Sequence, residues 1–398
     1  MKIALIYLND LFFNSGTAVI IRRIFENLTS DHEVIHLIGS ETNLYRSSSE
    51  IEISKLYQNL PFKITPFFLQ KQKFVYYYEF LLKRIFQISD ARLSGLNYAF
   101  QISKILRSEK PDCIWCVLCH MPQTLATIYY LKEFFRFNLP LHISIYDPLE
   151  LWPQMIGSKY FYQKIIKLAV SIDTIGINLQ QRIFQEFNKQ SLIMNDYIDE
   201  LNLNESFCGE VRVAIAGHIY DKSDIQLFLD LASSVFTHVS ILWYGNEKNY
   251  ALLSQLRIPE NIEIQKKGIV DRTLLPRLIC DCSFAYLSMP QDTEHFSRYS
   301  VPTKLVTYFE AGLPVVFHAP LYSEICNMNS HFGFGLNLSN LRNPNQRLTS
   351  ICSDRSFYQE GINKIYLERY QKNNLTFKFC QIIDELSKCV EAGSNNYK

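Results

Sequence analysis

The sequence lacks any uninterrupted run of about 18 apolar residues, which excludes an ordinary membrane-spanning helix. It also lacks a surplus of either charge. Forty Lys and Arg stand against 39 Asp and Glu, a formal net charge of +1, so bulk charge gives no reason to expect a nucleic-acid partner. Glycine is sparse, 14 in 398 residues, and forms no Gly-rich loop of the kind that cradles phosphate with backbone alone. There is no long low-complexity tract. The opening MKIALIYLND has no small-residue cleavage site, so it does not read as a signal peptide, and the expected location is the reducing cytoplasm. Ten cysteines are expected there as thiols, mostly buried as small hydrophobes.

What is present is length and aromatic content. A chain of 398 residues suits two domains of roughly 150 to 200 residues each, and 28 Phe with 24 Tyr supply large side chains for their cores. The stretch CIWCVLCHM (113–121) raises a sharper question, because Cys116-Val-Leu-Cys119-His120 fits the letters of a c-type haem attachment site. Its flanks argue for packing. Lys110-Pro111-Asp112 is a turn, and CIWCVL is a short apolar run with β-branched and aromatic residues, as expected of a strand buried on both faces. Alternation puts Cys116 on the face opposite Cys113 and Cys119, poor geometry for a shared metal. His120 then stands just past the strand's C-terminal end, where open α/β sheets place their ligands.

The rest of the first half repeats this grammar. KIALIY (2–7) and EVIHLIG (33–39) read as strands around the helical spacing of TAVIIRRIFENL (17–28), a βαβ unit with a right-handed crossover. LNYAFQISKILRS (96–108) and PQTLATIYYLKEFF (122–135) read as helices, LHISIY (141–146), SIDTIGIN (171–178) and SLIMNDYI (191–198) as strands. The polar segment DELNLNESFCGE (199–210) reads as a linker, and then the alternation restarts. VRVAIAG (211–217), HVSILWYG (238–245), NIEIQKKG (261–268), CSFAYLSM (282–289) and LPVVFH (313–318) are strands separated by helical stretches. Two such series imply an α/β protein of two doubly wound, Rossmann-like domains facing a cleft.

Residues 216–245, AGHIYDKSDIQLFLDLASSVFTHVSILWYG, resemble the first βαβ of the C-terminal domain in GT-B glycosyltransferases, and 261–317 resemble the rest of its donor site. The piece SRYSVPTKLVTYFEAGLPVVF is similar to the form SPxKLxEYxAxGxPVV of family 4 and related nucleotide-sugar transferases. The specific part covers about a quarter of the chain. The resemblance implies a GT-B fold with an N-terminal acceptor domain (1–203, completed by a returning C-terminal helix over about 365–398) and a C-terminal donor domain (204–364). It also implies transfer of a sugar from a nucleotide diphosphate-sugar, with retention of anomeric configuration.

Such a donor carries at least two negative charges, and a helix N-terminus offers free N–H groups and a positive dipole to meet them. The helix at Pro302 supplies that end, with Ser300 as a cap or phosphate donor, and Arg298 and Lys304 as charges that neutralise the departing diphosphate. For each the alternative is a solvated surface residue. Gly268 and Val270 stand where the resemblance puts contacts to the base edge, and Gly217 with His218 where it puts contacts to phosphate; His218 also reads as an exposed loop histidine. Thr307 departs from the family form, which has there a glutamate for the ribose hydroxyls. A hydroxyl does not bind two vicinal hydroxyls as a carboxylate does, and Glu310, three residues on, is not a simple replacement. On the other domain Gly16 and Thr17 open the first helix near the expected diphosphate and acceptor. His120 and Asp147 end neighbouring strand–helix units; either serves as a base if the stereochemistry inverts, or orients sugar and acceptor if it is retained. Asp147 before Pro148 also reads as a plain turn residue. No DxD-like carboxylate pair ends a strand, so no metal and no cofactor beyond the nucleotide-sugar co-substrate is expected.

Residues 62–86, FKITPFFLQKQKFVYYYEFLLKRIF, interleave basic residues with nine Phe or Tyr. They suit the headgroup layer of an anionic membrane, and equally an ordinary amphipathic helix burying its aromatics. The first reading points to a glycan or lipid-linked acceptor and a peripheral enzyme of cell-surface polysaccharide or glycolipid assembly. Two other readings stand beside it: a non-catalytic nucleotide-sugar-binding or scaffold subunit, and a nucleotide-sugar epimerase of the same fold.

Overall fold

The computed structural model describes residues 1–9, 11, 16–26, 31–39, 50–60, 63–86, 91–119, 121–151, 155, 157–203, 210–291, 293–340 and 343–395. His120 lies outside them. The chain forms two compact units, Met1–Asp196 with Leu375–Lys398, and Tyr197–Asn374.

The first unit is built on a parallel seven-stranded sheet. Its strands are β1 (Lys2–Ile6), β2 (Glu33–Gly39), β3 (Lys63–Leu69), β4 (Cys113–Leu118), β5 (Leu141–Ile145), β6 (Ser171–Thr174) and β7 (Leu192–Ile193), in the order β3-β2-β1-β4-β5-β6-β7. The order reverses between β1 and β4, the place where doubly wound sheets open a crevice at their C-terminal ends. β4 is buried along its whole length. Burial pushes the thiols of Cys113 and Cys119 up to about 12, and the Cys116 thiol up as well. These are packing residues. Among the described residues, no three or more His, Cys, Asp or Glu side chains are grouped so as to hold a metal ion.

Residues 62–86 are not one element. β3 takes Lys63–Leu69, and a helix, Lys73–Phe86, follows. Pro66, opposite His36 in the register, has no N–H to give a further strand, and β3 tolerates it because it is the edge of the sheet.

At the other end of the chain the helix Lys372–Asn395 enters the first unit from Leu375 onward. The Phe379 ring stacks on Trp115 of β4 at 5.2 Å and meets Phe25 edge-on at 6.4 Å. Three central strands are also tied by a buried polar network. His142 Nε2 lies 2.8 Å from Asp173 Oδ2 and its Nδ1 2.9 Å from Ser171 Oγ, while Trp115 Nε1 donates to Ser144 Oγ at 2.8 Å.

The second unit has a parallel sheet of β8 (Val211–Ala216), β9 (Val239–Tyr244), β10 (Ile262–Gly268), β11 (Phe284–Ser288), β12 (Val315–His318) and β13 (Gly335–Asn337), ordered β10-β9-β8-β11-β12-β13. The helix Lys222–Val235 starts where Asp221 Oδ1 accepts from the Ser223 N–H at 2.7 Å, a side-chain N-cap. Its Phe228 stacks on Tyr286 of β11 at 4.2 Å. The helix Thr303–Glu310 ends at Gly312, which has φ of +66°; a Cβ there would stand 1.8 Å from the Asn202 carbonyl oxygen. Only glycine fits, for conformation and for space together. Among the described residues, no helix is long and apolar enough to cross a membrane.

Candidate active site

In the second unit the C-terminal end of β8 and the N-terminus of Thr303–Glu310 meet at a cavity of about 300 Å³. Tyr308 holds them together. Its hydroxyl accepts from the Ala216 N–H at 2.8 Å and donates to the Tyr286 carbonyl at 3.3 Å, fixing the helix to both β8 and β11. Gly217 follows with φ of +68°, its N–H donating to the Tyr244 carbonyl at 2.7 Å and its carbonyl accepting from Trp243 Nε1 at 3.0 Å. A side chain at Gly217 would meet nothing within 4 Å, so the backbone here faces open space.

Gly217, His218, Tyr220, Arg272, Lys304 and Thr307 line this cavity, together with the first residues of the helix. The helix carries no side-chain cap; the Leu305 N–H donates to the Pro302 carbonyl at 2.9 Å, and Thr303 and Lys304, the two residues before it, line the cavity. Lys304 Nζ donates to the His218 carbonyl at 2.6 Å and lies 5.5 Å from the Tyr220 ring centroid. By area this side chain is only half-buried, yet its amine is hemmed in by those groups. Loss of water pushes its pKa down to about 8. His218 is exposed but lowered too, first by desolvation and then by the Lys304 charge. The Thr307 hydroxyl-bearing side chain is buried in the cavity wall. Glu310 does not line it; its carbonyl accepts from the Asn202 N–H at 3.0 Å.

The remaining expected residues stand apart. Arg298 does not line the cavity: its Nη2 donates to Glu294 Oε1 at 2.6 Å and its guanidinium lies 4.8 Å from the Tyr322 ring. Ser300 follows the same short helix, Glu294–Tyr299, and its Oγ is buried without a hydrogen bond. It does not cap Thr303–Glu310. Gly268, with φ of +74°, ends β10 and Val270 follows it, both outside the cavity lining. Gly16, Thr17 and Asp147 belong to the first unit. Gly16 and Thr17 open the helix Gly16–Glu26, and Asp147 follows β5, its charge helping to raise the Cys119 thiol.

Arg272 and Tyr220 are the residues that sequence reasoning passed over. Arg272 sits in a turn made by Asp271, whose Oδ1 accepts from the Thr273 N–H at 2.8 Å. The Asp-Arg-Thr turn after β10 was a signal for a fixed loop, and an arginine on it a signal for anion binding.

No family model matches the sequence, and no curated protein matches it. Solved structures do match over nearly the whole chain. A UDP-forming trehalose-phosphate synthase from Burkholderia xenovorans aligns at 12% identity with 97% of this chain and 98% of its own, TM-score 0.63. HepE from Anabaena, solved in complex with UDP-glucose, aligns at 13% identity over 98% and 100%, TM-score 0.59. The N-terminal domain of a Candida albicans trehalose-6-phosphate phosphatase aligns at 11% over 96% of each chain, TM-score 0.62. Likeness at this level establishes the fold, which is GT-B: two parallel α/β sheets of seven and six strands and a C-terminal helix that belongs to the first unit.

Proposed function

We propose that this chain is a glycosyltransferase that moves a sugar from a nucleotide diphosphate-sugar to a glycan or lipid-linked acceptor. The observation that carries the reading is the cavity where an uncapped helix N-terminus, Lys304, Arg272 and the Gly217–His218 backbone converge. Glycosyl transfer develops negative charge on the departing phosphate, so donors aimed at that charge stabilise the transition state more than the ground state. The first-turn N–H groups and the two cations take the diphosphate, and Thr307 faces the ribose. With basic groups in this place the leaving group needs no metal. His120 and Asp147 are assigned to the acceptor and sugar side, orienting rather than deprotonating if configuration is retained, and Gly16 and Thr17 to the donor. The setting is polysaccharide or glycolipid synthesis at the cytoplasmic face of a membrane.

A non-catalytic nucleotide-sugar-binding subunit is the second reading, favoured by Thr307 in place of the family's glutamate. Calorimetric titration with UDP, GDP, ADP and CMP, followed by turnover of the matching nucleotide-sugars, separates the two. Binding of one diphosphate with sugar transfer supports the enzyme, binding without turnover of any donor supports the subunit, and no binding refutes both.

A further inference from the structure

The helix Lys73–Phe86 leaves its largest side chains outside the protein. Phe74, Tyr77 and Ile85 are 63%, 63% and 64% exposed, and Tyr78 is exposed as well. At 100° per residue these four, with half-buried Leu81, fall in one stripe, while Phe80 and Phe86, also exposed, lie to either side of it and buried Val75 and half-buried Glu79 point to the body of the unit. Lys73 and Arg84 border the stripe, both exposed. The helix is anchored from its inner face, where Lys71 and Ser94 both donate to the Glu79 carboxylate.

An apolar groove of about 430 Å³ lies beside it, walled by Phe74 and Val75 of this helix, Leu96 and Phe100 of the helix Arg92–Glu109, and Phe134 and Phe135. That volume is in the range of small-molecule sites, about 300–1,000 Å³. Phe134, 68% exposed, forms its outer lip, and the Lys104 ammonium sits 4.1 Å from the Phe100 ring centroid. Setting aside the inward Lys71–Glu79 pair, the three segments 71–86, 92–109 and 130–136 hold eight basic residues and two acidic ones, in a chain where the two kinds are balanced at 40 and 39. An apolar face set in positive charge matches an anionic lipid surface, in which tails and headgroups occur together.

We infer that this face seats on an anionic bilayer, with the aromatic stripe at headgroup depth and one hydrocarbon chain of a lipid in the groove. The inference deepens the membrane setting of the proposed function and rests on that part of it, but not on nucleotide binding.

The test is co-sedimentation of the full chain with vesicles of phosphatidylcholine alone and with one part in three phosphatidylglycerol, at low and high salt. Wild type partitions into the anionic vesicles, less so in high salt. At about fivefold per basic residue, Lys73→Gln with Arg84→Gln together weaken partition roughly 25-fold. A Phe134→Trp reporter is quenched by lipids brominated along their chains. Equal behaviour of the two vesicle types, indifference to the double substitution, or an unquenched reporter on bound protein overturns the inference. So does a concentration-dependent doubling of mass in light scattering that Phe74→Ser abolishes, which assigns the face to a second copy. Calorimetry with UDP on the same samples keeps the two readings apart: lost lipid binding with intact nucleotide binding sinks only this inference, and the converse sinks only the donor site.

Discussion

If Lys304 meets the diphosphate as proposed, nucleotide binding depends on pH in a window where most lysines do not titrate. With a pKa of about 8 in place of 10.5, roughly nine in ten amines are charged at pH 7 and about one in ten at pH 9. A diphosphate binds the charged form, so raising the pH removes the competent state and affinity falls. Two pH units through that pKa cost about tenfold, provided the bound amine stays protonated. The ceiling is the strength of one hydrogen bond to a charged group, about 1.5–3 kcal/mol or roughly 10- to 150-fold, so the full fall is accessible. His218 is lowered from 6.5 by desolvation and by the Lys304 charge, away from this window. The assay is calorimetric Kd for UDP from pH 7 to 9, in wild type and in Lys304→Met and Lys304→Arg. Wild type falls about tenfold, Lys304→Met is weaker and flat, and Lys304→Arg is flat because its guanidinium does not titrate there. A flat wild-type profile, or an unchanged slope in Lys304→Met, refutes the assignment of this amine to the diphosphate.

Further consequences follow from single residues. Thr307→Glu puts a carboxylate where the proposed site places the ribose and tightens UDP by about tenfold, at about 1.5 kcal/mol for a charge-assisted bond; an equal gain with 2′-deoxy-UDP would show that the carboxylate is not reading the diol. Gly312→Ala drives a Cβ toward the Asn202 carbonyl, 1.8 Å away, at a φ of +66°. It lowers stability by at least about 2 kcal/mol, and an unchanged thermal melt contradicts this. In native protein at pH 8 a thiol reagent labels the exposed Cys380 and Cys389 and spares buried Cys113, Cys116 and Cys119; peptide mass spectrometry reads the pattern, and labelling of Cys116 before unfolding refutes burial of β4.

Much of the fold was legible in the sequence because buried parallel strands write themselves as Val, Ile and Leu runs. EVIHLIG coincides with β2, and CIWCVL with β4. β3 was hidden by Pro66 and by aromatic residues that continue without a break into the following helix, and β13 by having three residues. Lys304, His218, Gly217 and Thr307 were named in advance because the motif around Pro302 and the end of the first strand of the second series have local signatures. Arg272 had only the short Asp-Arg-Thr turn around it, and Tyr308 had no signature at all. Tyr308 looks like one more core aromatic until its hydroxyl is seen between two strand ends, a relation that exists only after β8, β11 and the helix have packed.

The returning C-terminal helix sets an order of events during synthesis. Residues 197–374 leave the ribosome before Leu375–Lys398, so the second unit has its whole complement of chain while the first, although translated earlier, still exposes the Phe25 and Trp115 surface that Phe379 covers. The first unit therefore waits, unfinished and apolar on one side, for Leu375–Lys398. A nascent chain stalled before position 375 is the form in which chaperones should be found on the first unit, and emergence of this helix is what frees it of them.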